Sequence, residues 1–434
     1  MFFLRRFSAT PNRNPLWLAW LSVFAMSASA SPLSLTVAEQ QALSADAGTR
    51  ALQAQARAYS EQSIAAESWA DPKLSIGTMN LPGDDLDPFD QGMLELKLEQ
   101  MLPRGDNAAI LRRKGELQEA ATSQQVDDRR SAVVRDVRLA WLDAWYWQQS
   151  LQQLRQDRYL FESLVTVTES MYSQGRKTQQ DVLQAEVVLS RLDDRMATAA
   201  ASANESRARL ARWLNQKPVI SVSEALPTLP VLPAITDQAL LSHPQVRVTD
   251  LAIEQSDQDV ALARENYKPQ WGVELTYGRE QGDMSGMGMT DNRDRFSAMV
   301  MLDIPLFTGN RQDRQLSASQ YRREASTAAR LDTLQQLQGT LQAEAARYNG
   351  LKERLALYKT QLLPTVTRQA DAALKAYQAD TADFTNVMQA YQSRLDLTLA
   401  YKRLQADTRQ SEARLHYLLP VNSQSLTDEK KELQ

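Results

Sequence analysis

Two distant stretches of the chain share one pattern: YSQGRKTQQDVLQA runs from Tyr172 to Ala185, and YQADTADFTNVMQA runs from Tyr377 to Ala390. Each has a tyrosine, then a short polar break, then a helix start that reads Val, Leu or Met, Gln, Ala. Self-similarity of this kind is typical of a duplicated structural unit. The sequence therefore predicts two copies of one unit in tandem.

Two further pairs of stretches extend the duplication upstream. WADPKLSIGTMN (69–80) corresponds to NYKPQWGVELTYG (266–278), and LEQMLPRGDNAAIL (98–111) corresponds to LDIPLFTGNRQDRQL (302–316). Each unit is predicted to contain a helix, two strands and a long helical hairpin. The first repeat is predicted at 31–217, with strands at 72–80 and 93–103 and a hairpin tip near 173–181. A proline-rich linker is predicted at 218–235. The second repeat is predicted at 236–419, with strands at 269–279 and 294–307 and a hairpin tip near 378–386.

The hairpins are predicted to be unusually long. From about 106 to 172, and again from about 311 to 377, helix-forming residues dominate, and at 1.5 Å per residue each helix would extend roughly 100 Å. Pro364 is expected to kink the second of these helices. On the returning arm an apolar stripe at helical spacing predicts a coiled-coil seam, although an ordinary helical core would show the same stripe. The stripe consists of Phe384, Val387, Met388, Tyr391 and Leu395.

The N-terminus has the pattern of a secretory signal peptide. Three arginines precede the apolar run LWLAWLSVFAM (16–26), and small residues lead to a cleavage site predicted after Ala30. A membrane anchor is the alternative, but the run is shorter than the roughly 18 residues that a spanning helix needs. Residues 1–30 are thus predicted to be removed, and the polar residues 420–434 are predicted to form a disordered tail.

Composition excludes several classes of protein. The chain has 434 residues, of which 43% are hydrophobic and 24% charged, so it is not intrinsically disordered. It contains no Cys, which excludes disulfides, thiol catalysis and lipid attachment at an N-terminal Cys. Removal of the three N-terminal arginines lowers the formal net charge from −4 to −7. A negative chain argues against nucleic acid as the partner.

The strands point to a membrane. Apolar side chains alternate with small or polar ones in WGVELTYGR (271–279), RFSAMVMLDIPLF (295–307) and MLELKLEQ (93–100), and more weakly in LSIGTMN (74–80). A half-buried soluble sheet shows the same alternation as an outer-membrane strand. The number of strands favours an outer-membrane barrel that several chains share. Four strands cannot close a barrel, and open edges in lipid leave backbone groups unpaired, so other chains must complete it. Three chains would supply twelve strands.

Four stretches together resemble the TolC family of outer-membrane channels: QMLPRGDNA (100–108), IPLFTGNRQ (304–312), YKPQWGVELTYG (267–278) and YSQGRKTQQDVL (172–183). The resemblance covers roughly 35–420 and both repeats. It implies an α+β membrane protein, a homotrimer with a twelve-stranded β-barrel in the lipid of the bacterial outer membrane. A long α-helical barrel of coiled-coil hairpins would continue the barrel into the periplasm.

The resemblance also implies a passive exit duct. An inner-membrane pump, of the resistance-nodulation-division type, would supply the energy, and a periplasmic adaptor (membrane fusion) protein would dock on the hairpin tips. The residues expected to form this docking site are Tyr172, Gly175, Lys177 and Asp181 in the first tip and Tyr377, Asp380 and Asn386 in the second.

The transported substrate is predicted to be a heavy-metal cation such as copper or silver. NLPGDDLDPFDQGM (80–93) and the flanking motifs look most like the heavy-metal, or cation efflux, branch of the family. The loop EQGDMSGMGMTDN places Met284, Met287 and Met289 close together, and thioether sulfur is a soft ligand for Cu(I) or Ag(I). An ordinary glycine-rich surface loop is the alternative interpretation of these methionines.

Other functions remain as alternatives. A type I secretion duct or a multidrug efflux duct has the same expected architecture, and a structural periplasmic coiled-coil protein would explain the helices but not the strands. The two histidines, His243 and His416, stand apart from other metal ligands in sequence, so no metal site or cofactor is predicted. No catalytic or nucleotide-binding motif stands in a fitting context, so the chain is predicted not to be an enzyme.

Overall fold

The structure is a computed structural model that describes residues 32–79, 93–217, 220–283, 290–379 and 381–419. The predicted signal peptide, the polar tail, Asp380 and the three loop methionines Met284, Met287 and Met289 lie outside these residues. The helices are α1 (Leu35–Ala45), α2 (Ala47–Glu67), α3 (Asn107–Ser173), α4 (Gln179–Leu214), α5 (Pro244–Glu265), α6 (Gln312–Leu357), α7 (Leu363–Gln378) and α8 (Phe384–Leu418). The strands are β1 (Lys73–Met79), β2 (Met93–Met101), β3 (Gln270–Asp283) and β4 (Thr290–Asp303).

The strands differ from the predicted ranges mainly in the second repeat. β3 continues to Asp283, beyond the predicted end at 279, and pairs with β4 over its whole length. β4 ends at Asp303 rather than at the predicted 307. Pro305 follows two residues later, and a proline cannot donate a hydrogen bond to a neighbouring strand.

The first helix of each repeat is divided in two. In the first repeat, Asp46 has an extended backbone, ends α1 and caps the start of α2 by accepting a hydrogen bond from the Thr49 amide at 2.7 Å. In the second repeat a 3₁₀ helix at Asp237–Ser242 precedes α5, and His243 caps α5. Proline at the first position of α5 fits this start because its missing N–H would have no helical partner.

The two long arms have equal length but different regularity. α3 is an uninterrupted helix of 67 residues, or roughly 100 Å. Its counterpart consists of α6, a π-helical segment at Tyr358–Leu362 and α7, which follow one another without a break. The π segment directly precedes Pro364. A proline ring collides with the carbonyl four residues earlier, and the wider π turn relieves that collision.

The core lies along the hairpins and is divided into three apolar clusters. The stripe on α8 is buried against α3, α4 and α7 in the cluster near the tips, as the apolar spacing predicted. A second cluster surrounds Trp141 in the middle of α3, and a third surrounds Leu240 and Leu341. The apolar core is therefore spread along the hairpins rather than gathered at one globular centre.

The described part of the linker is fixed to α3. Leu33 and Val222 form a parallel bridge, and the indole N–H of Trp141 donates to the Leu33 carbonyl at 3.0 Å. Trp145 makes the same kind of bond to the Glu224 carbonyl at 2.9 Å. The start of the first repeat and the linker thus meet on the same long helix.

One antiparallel sheet joins the two repeats, with the strand order β1, β2, β3, β4. Its central pair crosses between repeats, so that Leu98 of β2 lies opposite Leu275 of β3. Among the described residues, β1 and β4 each have one neighbour and form the two edges. Within the same residues, no helix is both long and apolar enough to cross a membrane.

Candidate functional site

The sheet has one apolar face that other parts of the described chain do not cover. The pairing register places Ile76, Leu96, Tyr277 and Phe296 side by side on this face. Ile76 is 72% exposed and Phe296 is 81% exposed. Large apolar side chains at such exposure mark a surface that contacts lipid or another protein.

The opposite face of the sheet is polar. Glu95, Lys97 and Glu99 of β2 point to it, and the Lys97 ammonium lies 3.3 Å from the carboxylate of Glu274 on β3. The alternation predicted from the sequence therefore corresponds to two chemically different faces. An apolar outer face and a polar inner face are the pattern of a barrel strand that separates lipid from water.

The first hairpin tip ends α3 with a Schellman motif. The amide of Gly175 donates to the Tyr172 carbonyl at 2.9 Å, and the amide of Arg176 donates to the Met171 carbonyl at 2.9 Å. Gly175 has φ +72°, a left-handed conformation that glycine adopts without steric cost. Nothing lies within 4 Å of the position that its Cβ would occupy. The predicted docking residue Gly175 therefore forms an open corner.

The next helix begins with a capping box. Thr178 Oγ1 accepts the Asp181 amide at 3.4 Å, and Asp181 Oδ2 accepts the Thr178 amide at 3.0 Å. Thr178 Oγ1 also donates to Asp181 Oδ2 at 2.8 Å. Asp181 thus holds the helix start, a structural role beside the docking role predicted for it.

The second tip has a similar backbone with different side chains. The amide of Thr381 donates to the Ala376 carbonyl at 2.9 Å, and the Asn386 amide donates to the Asp383 carbonyl at 3.1 Å. Asp383 takes the N-cap position of α8, where the described residues show no side-chain capping bond. Asn386 therefore corresponds to Asp181 in position but not in hydrogen bonding, and Asp380 lies outside the described residues.

The two predicted tip tyrosines differ in burial. Tyr172 is 47% exposed, whereas Tyr377 is 0% exposed. The Tyr377 ring packs against Phe384 with 5.7 Å between centroids, and the Lys177 ammonium lies 5.0 Å from the Tyr377 ring centre. Lys177 and Tyr377 therefore connect the two tips to each other, and the Tyr172 side chain remains about half exposed.

A groove that the sequence reasoning missed runs between α4 and α8 just behind the tips. Its cavity volume is about 530 Å³. Leu183 and Val187 line it and are about half exposed, with Met388 and Gln389 on the opposite wall. The spacing of Leu183 and Val187, four residues apart on one helix, was the available signal. This groove and the corner at Gly175 together offer an apolar and a polar contact surface.

Both histidines make hydrogen-bond contacts with nearby backbone groups. His243 is buried, its Nδ1 accepts the Gln245 amide at 3.2 Å, and burial lowers its pKa. His416 Nε2 lies 3.0 Å from the Pro230 carbonyl, and burial lowers its pKa as well. Throughout the described ranges, no group of three or more His, Cys, Asp or Glu side chains could hold a metal ion.

Comparison with known proteins agrees with this architecture. Residues 235–419 match a family model described as outer membrane efflux protein. No curated protein sequence matches the chain.

Several solved structures have a similar fold. A membrane protein from Pseudomonas aeruginosa has a TM-score of 0.77 and 17% identity, covering 89% of this chain and 90% of that chain. CusC has a TM-score of 0.78 and 15% identity, with coverage of 89% and 91%. The outer membrane protein VceC from Vibrio cholerae has a TM-score of 0.74 and 18% identity, with coverage of 89% and 95%. At these identities the likeness concerns the fold, and it confirms the TolC-like arrangement of long helices with a small sheet.

Proposed function

We propose that the chain, whose residues 235–419 match the outer membrane efflux protein family, forms the outer-membrane channel of a tripartite efflux pump. In this function it is a passive duct, and another component supplies the energy. The family consists of channels, which supports the prediction that the chain is not an enzyme.

The observation that carries the proposal is the four-stranded sheet with an exposed apolar face and two edge strands. Four strands are too few to close a barrel, because about eight are needed for the smallest closed form. In lipid, the unpaired N–H and C=O groups of β1 and β4 would each cost several kcal/mol. Three chains arranged around an axis would pair each β4 with the β1 of a neighbour and give a barrel of twelve strands.

The helices would continue this barrel as a second tube. At roughly 100 Å, α3 alone is long enough to extend far into a periplasm. α6 has fewer buried positions than α3, and most of its surface faces away from the rest of the described chain. In the proposed homotrimer, neighbouring chains would cover part of α6 and close the helical wall.

The hairpin tips are the proposed docking site for the periplasmic adaptor. Gly175 provides an open corner, Tyr172 provides an exposed aromatic ring, and the groove at Leu183 and Val187 provides apolar surface. A helical hairpin of an adaptor would place apolar residues in such a groove. An inner-membrane pump of the resistance-nodulation-division type would then act through the adaptor.

The proposed substrates are soft heavy-metal cations such as Cu(I) and Ag(I). Support comes from the methionines, since thioether sulfur binds these ions in preference to hard cations. Three of them, Met284, Met287 and Met289, lie in the loop between β3 and β4.

The trimeric barrel is tested by cysteine cross-linking, because the natural chain has no Cys. One cysteine is placed on β1, at Leu74 or Ile76, and one on β4, at Ala298 or Val300. Oxidation in membranes should give covalent dimers and trimers on denaturing gels. The matched control is Leu98→Cys with Leu275→Cys, which lie opposite each other within one chain and should give bridged monomers. Bridged control monomers without intermolecular bands from any β1–β4 pair would refute the barrel.

Docking is tested at Gly175. Gly175→Leu should weaken adaptor cross-linking, because a side chain fills the open corner and left-handed backbone costs a non-glycine residue roughly 1–2 kcal/mol. The control is Gly339→Leu on α6, where a Cβ also has nothing within 4 Å. Both variants should keep the trimer. Normal adaptor cross-linking in Gly175→Leu would count against docking at this corner.

The substrate class is tested by deleting the gene and comparing growth on copper, silver, zinc, cobalt, dyes, detergents and antibiotics. The expected result is sensitivity to copper and silver that the gene on a plasmid restores. Sensitivity to organic compounds alone would replace the metal assignment by a multidrug duct and leave the channel proposal intact.

A further inference from the structure

The methionines of the sheet are all on one face. The pairing register places Met79, Met93, Met101, Met299 and Met301 on the polar face, which also carries Glu95, Lys97 and Glu274. The apolar face of the described strands carries Leu, Ile, Val, Phe and Trp and none of these methionines. Methionines that served only as apolar surface would be expected on the apolar face as well.

Two of these methionines meet over a glycine. Met101 of β2 and Met301 of β4 lie directly opposite Gly272 of β3, one on each side. A Cβ built on Gly272 would lie 2.6 Å from Met101 Sδ and 3.1 Å from the methyl carbon of Met301. The two thioether groups therefore share the space that Gly272 leaves free. Gly272 allows side chains from non-adjacent strands to come together across β3.

Acidic side chains lie in the next row on the same face. Glu99, Glu274 and Met299 are opposite one another across β2, β3 and β4, two residues from the row of Met101 and Met301. Glu274 is buried, and its partner Lys97 neutralises one carboxylate. Lys73 of β1 lies opposite Glu99, so both carboxylates have a lysine beside them, and the sulfur atoms lie next to a polar row without net charge.

We propose that Met101 and Met301 form a binding site for a soft monovalent cation, Cu(I) or Ag(I), on the polar face of the sheet, with Met299 beside it. Thioethers are neutral, so they bind such an ion without releasing a proton, and they discriminate against Mg²⁺, Ca²⁺ and other hard cations. The inference rests on the proposed channel function for one point only, which is that the polar face lines the conduit.

The position of the site fits a role in the passage of the cation along the polar face. Met101 is the last residue of β2, and Met301 is near the end of β4, where the sheet meets the long helices. Met79 and Met93 are opposite each other at the other end of these strands, roughly 25 Å away along β2. The cation would thus find soft ligands at both ends of the described sheet. In a trimer each set would be repeated three times around the axis.

The test is a titration of the full-length protein in detergent micelles with silver nitrate in chloride-free buffer. The methionine methyl groups carry ¹³C, and their resonances are assigned from single Met→Leu variants, which conserve volume. We expect the Met101 and Met301 signals to shift together and to saturate. Met171 and Met388, which are buried in the helical hairpins, serve as internal controls and should not move.

Two variants separate binding from packing. Met101→Leu removes one sulfur and should weaken the silver response of Met301 at least tenfold. Gly272→Ala retains both sulfurs but places a methyl group 2.6 Å from Met101 Sδ, which must move, so it should also weaken the response. Met284, Met287 and Met289 are replaced by leucine in a third variant, in which the Met101 and Met301 shifts should persist.

The inference is wrong if silver shifts only the resonances of Met284, Met287 and Met289, or no methionine resonance at all. This conclusion does not depend on how cells grow on silver. The channel function is read separately, from growth. A Met101→Leu, Met301→Leu strain should lose silver tolerance and keep its tolerance of dyes. If silver shifts Met101 and Met301 in vitro while deletion of the gene leaves metal tolerance unchanged, the site stands and the metal-export function fails.

Discussion

The two repeats use different side chains at equivalent helix starts. Asp46 caps α2 and also binds Arg129, with Nη2 donating to Oδ1 at 2.7 Å and Nε donating to Oδ2 at 3.0 Å. The hydrogen bonds from Arg129 hold the pKa of Asp46 well below its usual range. His243 caps α5 at the corresponding position, is fully buried, and has its pKa lowered by burial.

The two hairpin tips also have different side chains at equivalent positions. The first tip has a complete capping box at Thr178 and Asp181, and its tyrosine, Tyr172, is exposed. In the second tip Tyr377 is buried beneath the first tip. Duplication thus preserved the backbone, while each copy adapted to a different neighbour. The tyrosine of the second tip packs within its own chain, whereas the tyrosine of the first tip is exposed.

The largest loss of stability should come from replacing the buried tyrosine. Tyr377→Ala should lower the stability of the tip by about 3 kcal/mol or more, because a buried aromatic ring is replaced by a cavity. Hydrogen–deuterium exchange of the α7 and α8 amides near the tip measures this change. Tyr172→Ala is the matched control and should change exchange little. Equal effects of the two substitutions would contradict the difference in burial.

A smaller loss is expected at the helix starts. Asp46→Ala removes the cap of α2 and a partner of Arg129, so it should cost about 2 kcal/mol. His243→Ala removes a cap without an ion pair and also leaves a cavity in place of a fully buried ring, so it should cost about 2 kcal/mol as well. Thermal unfolding of the purified protein compares the two. A greater loss from His243→Ala would show that packing around the histidine outweighs the Asp46 ion pair.

The tip caps should differ by a still smaller amount. Thr178→Ala removes the capping box and should destabilise α4 by about 1 kcal/mol. Asp383→Ala at the equivalent position should have little effect, because Asp383 forms no side-chain cap among the described residues. Exchange rates of the first-turn amides of α4 and α8 provide the measurement. A comparable increase of exchange in both variants would remove the distinction between the tips.

The smallest effect should be a dependence on pH. Because burial lowers the pKa of His243, folding favours its neutral form. Its contribution to stability is complete above the ordinary histidine pKa of about 6.5 and is lost as the pH falls below it. Asp128 and Tyr417 lie beside this histidine, Arg135 lies over the Tyr417 ring, and the Asp128 carboxylate opposes the shift.

The measurement is the thermal midpoint at pH 7.5 and 5.5. His243→Asn keeps a capping side chain and should reduce the loss of stability on acidification. His416→Asn is the comparison, since burial lowers the pKa of His416 as well. An unchanged acid dependence in His243→Asn would assign the dependence to other groups.

Much of the architecture was predictable from local patterns. The repeated motif at Tyr172 and Tyr377 predicted the duplication, and the apolar stripe that includes Val387 and Leu395 predicted a buried helix face. The division of the first helix was not predicted. A single aspartate within a helical pattern does not by itself mark a break, and the arginine that also binds Asp46, Arg129, lies 83 residues further along the chain.

The sequence by itself determined the tandem repeat and the two faces of each strand, because helix and strand periodicity depend on neighbouring residues. The tertiary structure decided which of two equivalent tyrosines is buried and which methionines meet. Tyr377 packs under Lys177, and Met101 meets Met301 across Gly272. These contacts join residues that are far apart in the chain, so strand register and hairpin packing establish them and local sequence does not.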